Sequence, residues 1–297
     1  MSLLFLGDTV TAHTYCERGI QLSTSIIGQK LTTFLPYDPG IVCSGFSTWT
    51  LWLSGSVEQA LARSAETLTL ARELAHPGTL VTMLTVTAFV PWWCRQASAI
   101  DERAQELAKL CDAQRFPVFA AHGMIYQGLV LCLHGQAEAG VAKIRQGLAV
   151  QQTTSSRLVR PFFLAMLAEG CAMIGAIDEG LQALEEALHH VNSREERVYE
   201  AELYRLRGEL LALQSPALLA QAEQALLQAL AIARRQQAKS LELRAAVSLS
   251  RLWWHQGKRA EARGLLAPTY GWFTEGFDTP DLQEAKALLG ALGEGQA

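Results

Sequence analysis

The stretch that decides the fold is residues 199–289, which contains YEAELYRLRGELL (199–211), AEQALLQALAIARRQQAKSLELRAA (222–246), QGKRAEARGLLAP (256–268) and YGWFTEGFDTPDLQEAKALL (270–289). Within these runs Leu and Ala recur at spacings of three and four residues, which is the pattern of an amphipathic helix. Breaks that contain Gly, Pro or Ser separate the runs. The stretch therefore predicts two helix pairs followed by a closing helix.

The same spacing returns about every 40 residues along the chain, if two extra residues are allowed in the loop near Ser215. We call each set of equivalent positions in successive units a phase. One phase holds small residues or threonine, at Thr48, Ala88, Gly128, Ala168, Gly208 and Ser250. A second phase is rich in glycine and marks a turn, at Gly55, Arg95, Gly135, Gly175, Ser215 and Gly257. A third is again mostly small, at Ala60, Ile100, Gly140, Gly180, Ala222 and Ala262. Each unit is thus a first helix (A), a turn in which Gly permits the left-handed conformation, and a second helix (B).

A single helix pair cannot bury its apolar face, so stacked pairs must supply the core. We therefore predict an all-α protein, a single α-solenoid of about six to seven helix pairs. Its predicted parts are a partial repeat at 1–22, an irregular insertion at 23–39, six helix pairs at 40–266, and a cap loop and helix at 267–290. The predicted helices are 40–54, 57–74, 79–94, 99–113, 118–134, 137–151, 161–174, 178–191, 197–213, 218–237, 241–256, 259–266 and 281–289.

Composition excludes several classes of protein. With 49% hydrophobic residues and a net charge of −4, the chain can build an extensive core and lacks the basic surface that nucleic acid requires. Its least polar segment, 80–94, is shorter than the roughly 20 residues of a membrane-spanning helix. The six cysteines form no C-x-x-C motif, which predicts buried, reduced thiols in a cytoplasmic protein.

A fourth set of equivalent positions is mostly leucine, at Leu68, Ala108, Leu148, Leu188 and Leu230. The order of small, turn, small and Leu positions resembles the tetratricopeptide repeat, whose usual period is roughly 34 residues. The runs quoted above, together with Asp38-Pro-Gly and the segment that begins Leu51-Trp-Leu-Ser-Gly, resemble the C-terminal repeat region of bacterial multidomain signalling proteins. In those proteins an adenylate/guanylate cyclase domain and an ATPase domain of the STAND or AAA type precede the repeats. The resemblance implies a regulatory or scaffolding module that binds protein or peptide, with an upstream ATPase or cyclase domain as one candidate partner.

Catalytic motifs of those upstream domains are missing from the sequence. The chain has no G-x-x-x-x-G-K-[S/T] phosphate loop and no Asp pair in a strand context that could hold the cyclase metals. We therefore predict a chain that is not an enzyme and needs no cofactor or metal. Because it begins within half a repeat, we also expect it to be part of a longer protein.

In the tetratricopeptide register, certain A-helix side chains face the concave groove of the solenoid. These are Trp49, Trp52, Phe89, Trp92, His122, Glu169, Glu202, Arg205, Glu209, Arg244, Arg251 and Trp254. Aromatic anchors and charges of this kind can clamp a peptide or helix.

Two other interpretations of these residues stay open from sequence alone. The tryptophans are equally consistent with a core between repeats, and the charges with an exposed face joined by helical ion pairs such as Glu202–Arg205 and Arg205–Glu209. An alternative function is small-molecule sensing, with a ligand between A helices near Trp49, Trp52, Phe89 and Trp92.

Overall fold

A computed structural model describes residues 1–23, 35–114, 116–154 and 156–293, and within these ranges every regular element is a helix and none is a strand. The helices are α1 (Ser2–Phe5), α2 (Thr9–Ser23), α3 (Pro39–Leu53), α4 (Val57–Glu73), α5 (Pro77–Val86), α6 (Phe89–Trp93), α7 (Ala97–Gln114), α8 (Pro117–Leu133), α9 (Ala137–Thr153), α10 (Arg160–Met173), α11 (Ile177–Arg194), α12 (Glu200–Gln214), α13 (Leu219–Arg235), α14 (Lys239–His255), α15 (Arg259–Tyr270) and α16 (Pro280–Gly293). Short 3₁₀ turns precede α12 and α13.

The helices pack as successive antiparallel pairs, so the predicted all-α solenoid of helix pairs is confirmed. The A helices are α3, the α5–α6 segment, α8, α10, α12 and α14, and the helix that follows each of them is its B helix. Helices α1 and α2 form a shorter pair at the start. The predicted insertion at 23–39 falls mostly on residues 24–34, which lie outside the described residues.

Close approach within each pair explains the small-residue phases. A Cβ atom added to Gly128 would lie 2.6 Å from the carbonyl oxygen of Gly140, so these two helices touch backbone to backbone. In the third phase, Ala60, Ala222 and Ala262 are completely buried. Small side chains at these positions therefore set the distance between A and B helices.

The backbone conformation of the A–B turns favours glycine. The turn residues with left-handed φ angles are Gly55 (+91°), Gly135 (+81°), Gly175 (+72°) and Gly257 (+79°). Arg95 occupies the same position of the second unit and also has a positive φ, +57°. The turn geometry therefore persists without glycine, at a cost of about 1 kcal/mol.

The structure departs from the predicted pattern at two places. Ser215 is extended, with φ −163°, because Pro216 follows it and disfavours a helical conformation in the preceding residue. The helix predicted at 79–94 is also interrupted, between α5 and α6. Pro91 has no backbone N–H and its ring excludes the carbonyl four residues earlier, that of Thr87. This carbonyl instead accepts a hydrogen bond from Ser64 Oγ at 3.2 Å.

The stack curves so far that the sixth A helix, α14, contacts α3, the first A helix. Ser240 Oγ on α14 donates to the carbonyl oxygen of Trp52 at 2.5 Å. Beyond α15, the carboxylate of Glu275 accepts from the backbone N–H groups of Glu58 and Gln59 at 3.1 and 3.4 Å. These contacts join residues 188 to 217 positions apart in sequence, and they close the concave side of the solenoid.

Candidate functional site

The predicted aromatic face lies inside the closed stack. Trp49, Trp52, Phe89 and Trp92 are each no more than 2% exposed. Trp52 stacks on Trp93 with ring centroids 4.3 Å apart. Further buried rings complete the cluster, namely Trp93, Phe162, Phe163 and Tyr199. The tryptophans therefore form a core between repeats, one of the two interpretations that the sequence left open.

The predicted charges form a buried network. Glu202 is 0% exposed and accepts hydrogen bonds from Arg205 at 2.8 and 2.9 Å and from Arg244 at 3.2 Å. Burial alone would raise the pKa of Glu202, but the two guanidinium groups outweigh it and lower this pKa to about 2. Glu169 pairs with Arg95 at 2.9 Å. Both predicted helical pairs are present: Glu202–Arg205 lies inside the protein, whereas Glu209 of the second pair is 32% exposed.

Arg244 connects this network to the start and the end of the solenoid. Its Nη2 donates to the carbonyl oxygen of Trp93 at 2.6 Å, and its Nε donates to Asp281 on α16 at 2.8 Å. The guanidinium also lies over the Trp52 ring, 4.9 Å from its centroid. One side chain thus holds the closing helix and the second unit together.

Glu209, Arg251 and Trp254 are the members of the predicted face that stay partly exposed. The first two line a groove of about 510 Å³ between α12, α13 and α14. We call this the α12–α14 groove; its other lining residues are Gly208, Ala212, Leu213, Leu219, Leu226, Ser248, Leu252, His255 and Gln256. Leu213 is 65% exposed, so its apolar side chain is accessible to a partner.

A second cavity, of about 450 Å³, opens between the first three A helices. Three residues of the predicted face line it, Trp49, Phe89 and His122, whereas Trp52 and Trp92 do not. Most of the remaining wall is apolar or aromatic, from Met1, Pro36, Tyr37, Val42, Phe46, Val81, Val86, Phe116, Val118, Phe119, Leu158 and Val159. We call it the aromatic cavity.

His122 is the unusual polar group of the aromatic cavity. Its ring lies 4.8 Å from that of Phe163 and 5.8 Å from that of Phe119. Neither imidazole nitrogen has a hydrogen-bond partner among the described residues. Burial lowers the pKa of His122 to about 3, so the ring is neutral at physiological pH.

Two other buried polar side chains of this wall already have partners within the protein. Trp49 Nε1 donates to the carbonyl oxygen of Val86 at 2.9 Å, and Thr85 Oγ1 donates to that of Val81 at 3.1 Å. Among the buried polar side chains of the described wall, His122 is therefore the one left to meet a polar group of a ligand.

Sequence reasoning missed the part of the cavity wall that comes from the start of α8 and from the loop before α10. Phe116 and Phe119 flank Pro117, the first residue of α8, and Leu158 and Val159 precede α10. An apolar cluster next to a helix start was the available signal. These residues lie outside the A-helix repeat phases, so the repeat pattern did not select them.

Two further findings concern metal binding and membrane spanning. Across the described part of the chain, no group of three or more His, Cys, Asp or Glu side chains is arranged to hold a metal ion. None of the helices described has both the length and the apolar character needed to cross a bilayer.

Comparison with known proteins gives the fold. No protein-family model matches the chain, and no curated protein is detectably similar to it. The structure is similar to the apo form of RapI, with TM-score 0.54 and 11% identity over 86% of this chain and 71% of that chain. It is also similar to a monomeric mutant of IFIT1 with m7Gppp-AAAA, with TM-score 0.59 and 15% identity over 95% of this chain and 60% of that chain.

Both of these proteins are tetratricopeptide-like helical repeat proteins. Identities this low show a common fold and nothing further. The chain is therefore a tetratricopeptide-like helical repeat protein in fold.

Proposed function

We propose that the chain is a non-catalytic protein-interaction module whose docking surface is the α12–α14 groove, and that its occupant is an amphipathic helix of a partner protein. The observation that supports this most directly is an accessible apolar floor beside a charged rim. Leu213 and Leu219 reach solvent at the floor, while Glu209 and Arg251 stand at the edge. Helical repeat folds commonly present such surfaces to other polypeptides.

The α12–α14 groove is favoured because the concave interior is filled. Of the predicted binding residues, those that remain partly exposed include Glu209 and Arg251, and both lie here. Burying one leucine side chain contributes roughly 1.5–3 kcal/mol, so Leu213 and its neighbours can supply affinity. Opposite charges at the rim match a helix that carries both signs of charge beside its apolar stripe, and they set its register.

The finer proposal concerns the biological setting. We infer that the partner belongs to a cytoplasmic cyclase/ATPase signalling system and that the module acts as its sensor or scaffold arm. This rests on the sequence resemblance of the repeat region. An ATPase domain from a protein with the same kind of repeats is the partner to test first.

The test begins with selection of helical peptides from a display library against the whole chain, followed by affinity measurement with a labelled peptide. Substitution Leu213→Glu should weaken binding by about 10- to 150-fold, the equivalent of one buried leucine. Leu70→Glu is the matched control, because Leu70 is 43% exposed on α4, away from the groove. Equal binding of the peptide by wild type and Leu213→Glu would exclude the α12–α14 groove as the docking surface. In a separate measurement, the ATPase domain should compete with the peptide for the chain.

A second candidate function, small-molecule sensing, is favoured by one specific observation. The aromatic cavity holds Trp49 and Phe89 in its wall, together with a buried histidine that has no hydrogen-bond partner in the described part of the chain. Such a combination of apolar walls and one unused polar group is typical of ligand sites.

A further inference from the structure

We propose that the aromatic cavity binds an uncharged, elongated apolar molecule that carries one hydroxyl or carbonyl group, and that this group pairs with His122. The inference rests on the second candidate function, ligand sensing. It does not involve the α12–α14 groove.

The size and rigidity of the cavity suit a small molecule. Its volume of about 450 Å³ falls within the roughly 300–1,000 Å³ of known small-molecule sites. The Trp49 ring is held by its hydrogen bond to Val86 and by edge contacts with Phe46 and Phe89, at 5.3 and 4.6 Å. A wall fixed in this way does not have to be ordered by the ligand, so little of the binding free energy is lost.

The shape of the opening indicates the ligand's path. Met1 and Leu158 at the edge are 51% and 44% exposed, whereas Val81, Trp49 and Phe89 at the floor are at most 1% exposed. An extended molecule that enters between the first two would bury most of its length against the floor. Burial of apolar surface is the main source of its affinity.

His122 gives the site its polar preference. A buried polar group without a partner destabilises a protein, and each such group calls for an explanation. The imidazole is part of the cavity wall, and its χ2 torsion is of the broad, two-fold kind. Rotation about χ2 is the movement that presents a ring nitrogen to a ligand, as donor to a carbonyl or as acceptor from a hydroxyl.

The charge of the wall excludes ionised ligands. No Asp, Glu, Lys or Arg side chain is found among the described residues that line the cavity, and the charged amino terminus belongs to Met1 at the exposed edge. The imidazole is itself neutral, because burial holds its pKa near 3. A carboxylate or ammonium group placed beside His122 would lose its hydration without a charged side chain to pair with, which is strongly unfavourable.

The first experiment locates the site with N-phenyl-1-naphthylamine, a neutral probe whose fluorescence rises in apolar surroundings. We expect saturable binding of one probe per chain. Val118→Trp, at a half-buried position of the wall, should fill the cavity and weaken binding at least 10-fold. Leu70→Trp on α4 is the control and should bind as wild type does. Absence of probe binding, or unchanged binding by a folded Val118→Trp variant, would refute the assignment of the aromatic cavity as a binding site.

The second experiment defines the ligand class by displacement of this probe at pH 7.5. We expect 1-decanol to displace it at a concentration at least 5-fold lower than decanoate does. His122→Phe keeps the apolar wall but removes the polar partner, and it should weaken displacement by 1-decanol by about 2- to 12-fold, the value of one hydrogen bond. Equal potency of decanoate, or no effect of His122→Phe, would refute the proposed ligand. None of these failures affects peptide binding at the α12–α14 groove, which Leu213→Glu tests separately.

Discussion

Replacement of Glu202 by glutamine should destabilise the protein strongly, and the loss should depend on pH. Glu202 is completely buried and accepts hydrogen bonds from Arg205 and Arg244. Glutamine has nearly the same shape but no charge. The substitution therefore leaves two buried guanidinium groups without their shared carboxylate, including the one that holds α16 and the second unit together.

The magnitude follows from the pKa of this carboxyl group. Its pKa falls from 4.5 to about 2 on folding, a difference of about 2.5, and each pKa unit is worth about 1.36 kcal/mol. The expected loss at neutral pH is therefore about 3 kcal/mol, which agrees with the roughly 3–5 kcal/mol for breaking a buried ion pair. Because the folded-state pKa is the lower one, this contribution is complete above pH 4.5 and disappears as pH falls towards 2.

Urea unfolding followed by tryptophan fluorescence provides the measurement, since Trp52 and Trp93 both contact Arg244. Wild type should exceed Glu202→Gln in free energy of unfolding by about 3 kcal/mol at pH 7 and by less than half of that at pH 3. The matched control is Glu284→Gln, which removes a 49% exposed partner of Arg251 and should cost less than about 1 kcal/mol. A difference below about 1 kcal/mol at pH 7, or one that is the same at both pH values, would refute the reasoning.

Three other features lead to further predictions. Burial lowers the pKa of His122 from 6.5 to about 3, so only the unfolded chain binds this proton between those values. Between pH 7 and pH 5 the free energy of unfolding of wild type should therefore fall by about 2 kcal/mol more than that of His122→Phe. Equal decreases for the two proteins in urea unfolding would contradict this. Gly128→Ala would place a Cβ 2.6 Å from the Gly140 carbonyl oxygen and should cost about 1–3 kcal/mol. A Cβ added at Gly264 would have no neighbouring heavy atom within 4 Å, so Gly264→Ala should instead stabilise the protein by about 0.5–1 kcal/mol. Thermal unfolding that ranks the two alanine variants in the opposite order would be inconsistent with the packing. Cys43 is the cysteine that is only half-buried, so at most one thiol should react with Ellman's reagent before unfolding, and rapid reaction of two would count against the structure.

Much of the fold could be predicted because the helix pairs are encoded locally. The glycine at position 135 ends one helix through its own φ angle, and small residues at 128 and 140 permit the contact between neighbouring helices. Such features depend on residues close in sequence, and they recur in every unit. The two exceptions lie beside prolines. Pro216 keeps Ser215 extended, and Pro91 prevents α5 and α6 from forming one continuous helix.

The candidate site could be predicted only in part. The repeat phases identified Trp49, Phe89 and His122 as inward-facing, and the structure brings these three together around one cavity. They did not distinguish an open concave face from a filled one. In an open solenoid and in a closed one the same A-helix positions point inward, so the residue pattern is identical.

The sequence by itself determined that this protein is a stack of helix pairs, where each pair turns, and which faces of its helices point inward. Only the tertiary structure decided that the inward faces close on one another, that Glu202 and Arg244 are buried between the ends of the stack, and that the α12–α14 groove and the aromatic cavity stay accessible. The physical reason is that closure depends on small rotations between successive pairs. Each rotation is set by side-chain packing, and their sum over six pairs decides whether α14 reaches the first pair.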